Sequence, residues 1–370
     1  MTSTNSTQWS DVDILQLRAL PRITSQHFVQ ALESASCFEE YTAGPLFHAV
    51  YHKKQEVLFE KLELRKLRED SCVQFERCLR ARVGILSIAH PTYPVLLRQI
   101  PYPPIVLFVR GDLCTSDALS LSIVGTRQCT QYGQLVTERF ARECSQSGLI
   151  ITSGLAAGID SIAHKATVDA GGVTYAVIAC GIDTIAPSYA ARLAQSISES
   201  GGAVLSEYAC GVRALPPYFP QRNRIISGIS KSLLVVESGR RGGSLITAQF
   251  AVDQSRDVFA IPGQITAERS MGTNALIANS IAAAALSPQQ ILEDYGIQTG
   301  IQMMETSTRK LEFSSALEES IYSCIHYEPL HIDSIAERFA ISTPEILVSL
   351  LTLEFKGYVR QLPGRMFLRA

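Results

Sequence analysis

Between Ser122 and Gly263 the chain repeats one pattern: a short apolar run ends in small and polar residues, and a stretch with helical spacing follows. The runs end at Val124-Gly125-Thr126-Arg127, Thr152-Ser153-Gly154-Leu155, Ala179-Cys180-Gly181-Ile182-Asp183, Leu205-Ser206-Glu207, Val236-Glu237-Ser238-Gly239 and Ile261-Pro262-Gly263. This spacing predicts strands near 121–124, 149–153, 174–180, 203–208, 232–238 and 257–261. It predicts helices near 131–146, 159–170, 188–200, 220–229, 244–256 and 273–286. Val136, Phe140 and Cys144 fall on one helical stripe. Gly148, Gly171 and Gly201-Gly202 stand where helix C-caps belong. The runs are apolar throughout, as strands buried on both faces require. Strands alternating with helices imply an α/β, Rossmann-like core with a mostly parallel sheet. Ligands of such sheets bind at the carboxyl ends of the strands, and there this chain places its glycines, serines and arginines.

The flanks differ. Residues 1–85 carry Leu15, Leu17, Leu20, Phe28 and Leu32 at helical spacing and predict a small helical (SAM or helix-hairpin-like) domain. Pro91, Pro94, Pro101, Pro103 and Pro104 mark an extended lead-in ending at Gly111-Asp112. The core domain is expected over 86–290, and a linker over 291–314 that includes polar Thr306 to Lys310. Residues 315–370 read as a winged helix. Its stripes are Leu317, Ile321 and Ile325, then Ile332, Ile335, Ala336 and Phe339, then Ile346, Leu350 and Leu353, before a hairpin turning at Pro363-Gly364. Its third helix, Thr343 to Phe355, shows Glu345 and Glu354 and otherwise mostly apolar residues, which favours a protein contact or an accessory DNA contact over base reading.

Composition narrows the classes. The net charge is -2, so any binding of phosphates must come from a local patch. Met1 to Asp13 is polar, and no apolar run approaches the roughly 18 residues of a membrane span. The nine cysteines are scattered, with no C-x-x-C, which suits reduced thiols in a cytoplasmic protein. Neither a cofactor nor a metal is expected.

The strand ends carry the candidate chemistry. Gly125-Thr126-Arg127 lacks the spacing of a dinucleotide fingerprint and instead suits a phosphate, with a salt bridge on the rim as the other use of Arg127. Ser153 to Asp160, with Gly154 and Gly158, is a Gly-rich loop opening a helix whose amides are able to face an anion. Asp160 either caps that helix or binds a ligand hydroxyl. Lys165 lies on the same helix, as does His164. Phe219 to Gly228 puts an aromatic beside Arg222, Asn223 and Arg224, the combination single-stranded nucleic acid requires, although either arginine is equally a clamp for neighbouring loops. Ser238 to Ala248 is a second Gly-rich turn, with Arg240, Arg241, Gly243 and Ser244. The acids Asp160, Asp183, Glu207 and Glu237 also fall near strand ends, but no Ser-His-Asp signature, P-loop or metal box accompanies them.

These residues, in this order, resemble the DprA/Smf family of DNA-processing proteins over nearly the whole chain. The matching pieces include Ile123 to Arg127, Ser153 to Asp160, Cys180 to Asp183, Ser206 to Tyr208, Phe219 to Gly228, Gly243 to Ala248, Val258 to Gly263 and Gly272 to Ile277. The resemblance implies single-stranded DNA binding, homodimerisation through the Rossmann-like core, and loading of RecA recombinase during natural transformation or recombination, with no catalytic step. It implies DNA or phosphate contacts at Arg127, Ser153, Gly154, Arg222, Asn223, Gly243 and Ser244, and the strand-end loops themselves add Gly125, Gly158, Lys165, Arg224 and Arg240 as candidate contacts. Ala157 departs from the arginine of many relatives, Ala186 to Ala190 from a Tyr-Pro, and Asn279-Ser280 from a Gly-Ala. The alternative is a phosphoribohydrolase-like enzyme using the same loops, although its Pro-Gly-Gly-x-Gly-Thr motif is absent.

Overall fold

The computed structural model describes residues 9–51, 61–114, 118–185, 187–297, 313–326 and 329–369. Within them one sheet holds β1 (Gly84–Ser87), β2 (Val106–Gly111), β3 (Ser120–Val124), β4 (Ile150–Ser153), β5 (Thr174–Ile178), β6 (Ala203–Ser206), β7 (Ser232–Val235), β8 (Asp257–Ala260) and β9 (Ala283–Ala284). The strand order is β1-β2-β6-β5-β4-β3-β7-β8-β9. Strands β3 to β8 are the expected ones and pair in parallel. Their residues are almost all buried, which is why the runs read as apolar on both faces.

The edges are where the structure adds to the pattern. The proline-marked lead-in holds β1 and β2, which extend the sheet antiparallel beside β6. The helix expected over 273–286 covers Met271–Ala278. Ser280 turns left-handed at φ 57, and Ala283-Ala284 pairs with β8 as a short edge strand. An alanine run carries no periodicity that separates helix from strand.

Serines inside β3 seat a helix far along the chain. Ser122 Oγ donates to Ile226 O at 2.7 Å, and Ser120 Oγ donates to Ile229 O at 3.0 Å. These bonds dock the helix Tyr218–Ile229 on the sheet. Gly228 lets it approach closely, since a Cβ there would lie 2.7 Å from Ile100 Cγ2.

The helices Asp11–Ala19, Ser25–Ser34, Phe38–Ala43, Pro45–Tyr51 and Lys61–Arg80 share one apolar cluster with the sheet. Arg18 donates to Glu207 O at 2.9 Å and lies over the Phe108 ring. The boundary expected at 85 is therefore a change of secondary structure inside one unit, which continues to Ile297. The linker expected from 291 also starts later. Pro288–Asp294 is a helix, Ile291 and Leu292 are buried in the same cluster as Leu234 and Phe259, and Tyr295 Oη donates to Ser120 O at 2.6 Å. Residues 298–312, with Thr306 to Lys310, lie outside the described residues, as does Ala186.

The second unit is the winged helix. Helices Ala316–Cys324, Ile332–Phe339 and Thr343–Phe355 accompany a sheet of order β10-β12-β11, from β10 (Leu330–His331) between the first two helices, β11 (Val359–Leu362) and β12 (Met366–Arg369). Ile321, Ile335, Ile346, Leu350, Leu353 and Phe367 form its core. The third helix exposes Val348 and Phe355 on its outer face.

Candidate functional site

After β3 the chain crosses to β4 on one side, and it later returns through β7 on the other. Loops leaving β3 and β7 therefore diverge, and a crevice must open between them at this topological switch point. A cleft of about 800 Å³ lies there, lined among others by Arg127, Asp160, Phe219, Asn223, Gly243 and Arg269.

Its open side is basic and aromatic. Arg127 is exposed, with its guanidinium over the Phe219 ring at 5.6 Å from the centroid. Arg269 donates to Thr126 Oγ1 at 3.1 Å and to Gln128 Oε1 at 2.9 Å, which holds the loop after β3 in place. Gly125 fits because a Cβ would lie 2.6 Å from Ile159 Cγ1. Gly243 begins the helix Gly243–Asp253, whose N-cap, Gly242, supplies no side-chain acceptor. Nothing lies within 4 Å of where a Gly243 Cβ would be, and Gly242, Gly243 and Ser244 line the cleft, so the positive end of this helix dipole borders it. Ser244 Oγ turns inward to donate to Ser238 Oγ at 2.9 Å, which leaves its amide as the group able to meet a ligand.

The loop after β4 is arranged differently from the expectation. Its anion is built in. Asp160, buried, accepts from Gly154 N–H at 3.1 Å, and burial pushes its carboxyl up to about 6 against the pull of Arg222 and the Ala156 and Gly154 amides. Ser153 is fully buried and donates to Ile123 O at 2.6 Å. Gly154 leaves no room for a Cβ between Arg222 and Asp160. Gly158, at φ 78, brings this loop against the Thr126 and Arg127 backbone. Side chains and amides expected to grip a phosphate at Ser153, Gly154 and Gly158 thus hold the loop together.

Two arginines change role for the same reason. Arg222 is 4% exposed and donates to Gly154 O at 2.6 Å and to Val177 O. Burial lowers its guanidinium to about 10, offset by Asp160, and the charge is a clamp beneath the cleft. Arg224 pairs with Glu207 at 2.6 Å. Lys165 is exposed on the helix Ile159–Asp169 and does not line the cleft, and neither do Arg240 and Arg241, exposed on the turn before Gly243. His164, on that helix, is fully buried and bonds Thr174 Oγ1 at 2.7 Å, and burial first, then Arg222, holds it down at about 3.

The remaining acids are committed too. Asp183 Oδ1 accepts from Gly211 N–H at 2.7 Å, and Glu237 is 2% exposed beneath the loop that Gly125 begins. Among the described residues no group of three His, Cys, Asp or Glu is placed to hold a metal, and no helix is long and apolar enough to cross a membrane. Arg269 and Gln128 were not foreseen as site residues. The signal for Arg269 was its position between two quoted motifs, Pro262-Gly263 and Gly272-Thr273-Asn274, which Asn274 joins by bonding both N–H and C=O of Gly263.

Comparison with known proteins follows the same lines. Residues 84–296 match the family model described as DNA recombination-mediator protein A, and residues 305–365 match the DprA winged helix domain. Protein Smf of Escherichia coli (strain K12) is 39% identical over 277 residues, 73% of this chain and 73% of that protein. DNA processing protein DprA of Bacillus subtilis (strain 168) is 38% identical over 213 residues, 57% of this chain and 71% of that protein. The X-ray structure of DprA from Streptococcus pneumoniae superposes with a TM-score of 0.64 at 31% identity, covering 77% of this chain and 98% of that one. DNA processing protein A from Helicobacter pylori, whose structure concerns its single-stranded DNA binding mode, gives 0.53 at 27% identity, covering 58% and 95%.

Proposed function

Since this chain belongs to the DNA recombination-mediator protein A family, we propose that it binds single-stranded DNA in the strand-end cleft and passes the strand to a RecA recombinase. The observation that carries this reading is the facing of two features across one cleft: Arg127 over Phe219, and the uncapped helix start at Gly243. The helix start and Arg127 suit backbone phosphates, and Phe219 suits a base. The guanidinium occupies the ring face that a base would use, so a base either displaces it or slides between the two. Asn223 adds an amide on the same wall. The work is that of a cytoplasmic mediator acting as a homodimer in recombination or DNA uptake, without a chemical step. Glu207, Asp183 and Asp160 already hold protein partners, which argues against the nucleotide-hydrolase alternative.

Titration with a fluorescent single-stranded 50-mer and its duplex at several salt concentrations tests the binding. Preference for the single strand, with log K falling by roughly 0.7 per phosphate contact per log unit of salt, is the expected result. Equal, weak binding to both would overturn it. Recombinase assembly on strands precoated with single-strand-binding protein, with and without this chain, tests the second half.

A further inference from the structure

We propose that Cys78 and Cys210 form a reversible oxidation site, a buried dithiol that hydrogen peroxide closes to a disulfide. The two sulfurs lie 3.8 Å apart, and both residues are buried. Cys78 sits near the end of the helix Lys61–Arg80, and Cys210 in the turn after β6. A disulfide needs about 2 Å between sulfurs, which side-chain rotation can supply across a gap this small.

The surroundings hold the pair in register. With its amide oriented to satisfy both groups, Gln74 donates to Cys210 O at 3.2 Å and accepts from Cys210 N–H at 2.9 Å. Arg77, one residue before Cys78, packs against Gly211. The two thiols share one hydrogen bond, so one sulfur attacks and the other stands in place to resolve.

The chemistry balances with one peroxide. The thiolate of one cysteine attacks a peroxide oxygen, the O–O bond breaks, and a sulfenic acid forms as one water leaves. The sulfur of the other cysteine then displaces the sulfenic oxygen, which leaves as a second water, and the S–S bond forms. Two electrons pass from the sulfurs to the peroxide, and a thiol reductant reverses the change.

The bond would tie two parts of the molecule. The segment after β6 also bears Glu207, paired with Arg224, and Tyr208, whose ring stacks on Tyr218 at 4.2 Å. Both partners belong to the helix Tyr218–Ile229, which carries Phe219 and Arg222. Oxidation therefore fastens the N-terminal helices to the segment that braces the cleft.

The test is mass mapping of the full chain after exposure to hydrogen peroxide, with alkylation in denaturant. The expected product is a linked pair of peptides containing Cys78 and Cys210, 2 Da lighter than the sum and restored by dithiothreitol. Titratable thiols should fall from nine to 9 − 2 = 7. Cys78→Ser should leave Cys210 alkylatable, and the wild-type map decides alone if that variant does not fold. Full alkylation of both cysteines while exposed Cys72 is oxidised, or a disulfide joining Cys72 to Cys78, would overturn the proposal.

Discussion

Arg222 and Asp160 hold the two peptide groups that flank one glycine: Arg222 donates to Gly154 O at 2.6 Å, and Asp160 accepts from Gly154 N–H at 3.1 Å. The glycine is there because these two side chains leave no room for a Cβ. Gly154→Ala should lower stability by about 1–3 kcal/mol, as overpacking of a filled interior does. Urea unfolding measures it, and an unchanged midpoint would mean that Arg222 and Asp160 give way freely.

Asp160 also sets a pH dependence. Its folded pKa is raised from 3.8 to about 6, chiefly by burial. Between those values the folded state holds the Asp160 proton more tightly than the unfolded chain, so this group's contribution to stability rises as pH falls through 6 towards 4 and is lost as pH rises back. Asp160→Asn removes the titration. The difference in unfolding free energy between wild type and Asp160→Asn should swing by up to about 3 kcal/mol between pH 7 and 4, in favour of the wild type at low pH. A difference that stays flat over this range would refute the assignment.

The sheet was legible because parallel strands buried on both faces must be apolar throughout, and β3 to β8 satisfy that apart from buried hydroxyls and the exposed Asp257 at the start of β8. Legibility stopped where residue type underdetermines role. An arginine at a strand end reads alike whether it meets a phosphate or a carbonyl. Arg127 faces the cleft, whereas Arg222 and Arg224, three and five residues after Phe219, turn to Gly154 and Glu207. Likewise a Gly-Leu-Ala-Ala-Gly loop reads as an anion cradle, and it is one, but the anion is Asp160 from the same loop. Only contacts between distant segments separate these cases, and spacing along the chain does not record them.

That separation of arginines is itself testable. Arg127→Ala should leave thermal stability nearly unchanged, because the side chain is exposed. It should reduce the slope of log K against log salt for single-stranded DNA by roughly 0.7. Arg224→Ala should do the reverse: lose about 1 kcal/mol of stability with its ion pair to Glu207, whose side chains are only 16% and 26% exposed, and keep the salt slope. Paired salt titrations and thermal melts of both variants decide, and equal slopes for Arg127→Ala and wild type would remove Arg127 from the phosphate path.

Gly243 offers a sharper discrimination, since one substitution should move stability and binding in opposite directions. The residue opens the helix Gly243–Asp253, nothing lies within 4 Å of where its Cβ would be, and its cap is another glycine. An acidic side chain at this first turn complements the helix dipole, so Gly243→Asp should gain about 0.3–1 kcal/mol of stability. The same charge would sit where a phosphate is expected, and affinity for a single-stranded oligonucleotide should fall at least about tenfold, or 1.4 kcal/mol. Chemical denaturation gives the first quantity and fluorescence anisotropy the second. A stabilised variant that binds as well as the wild type would show that the strand does not pass the start of this helix.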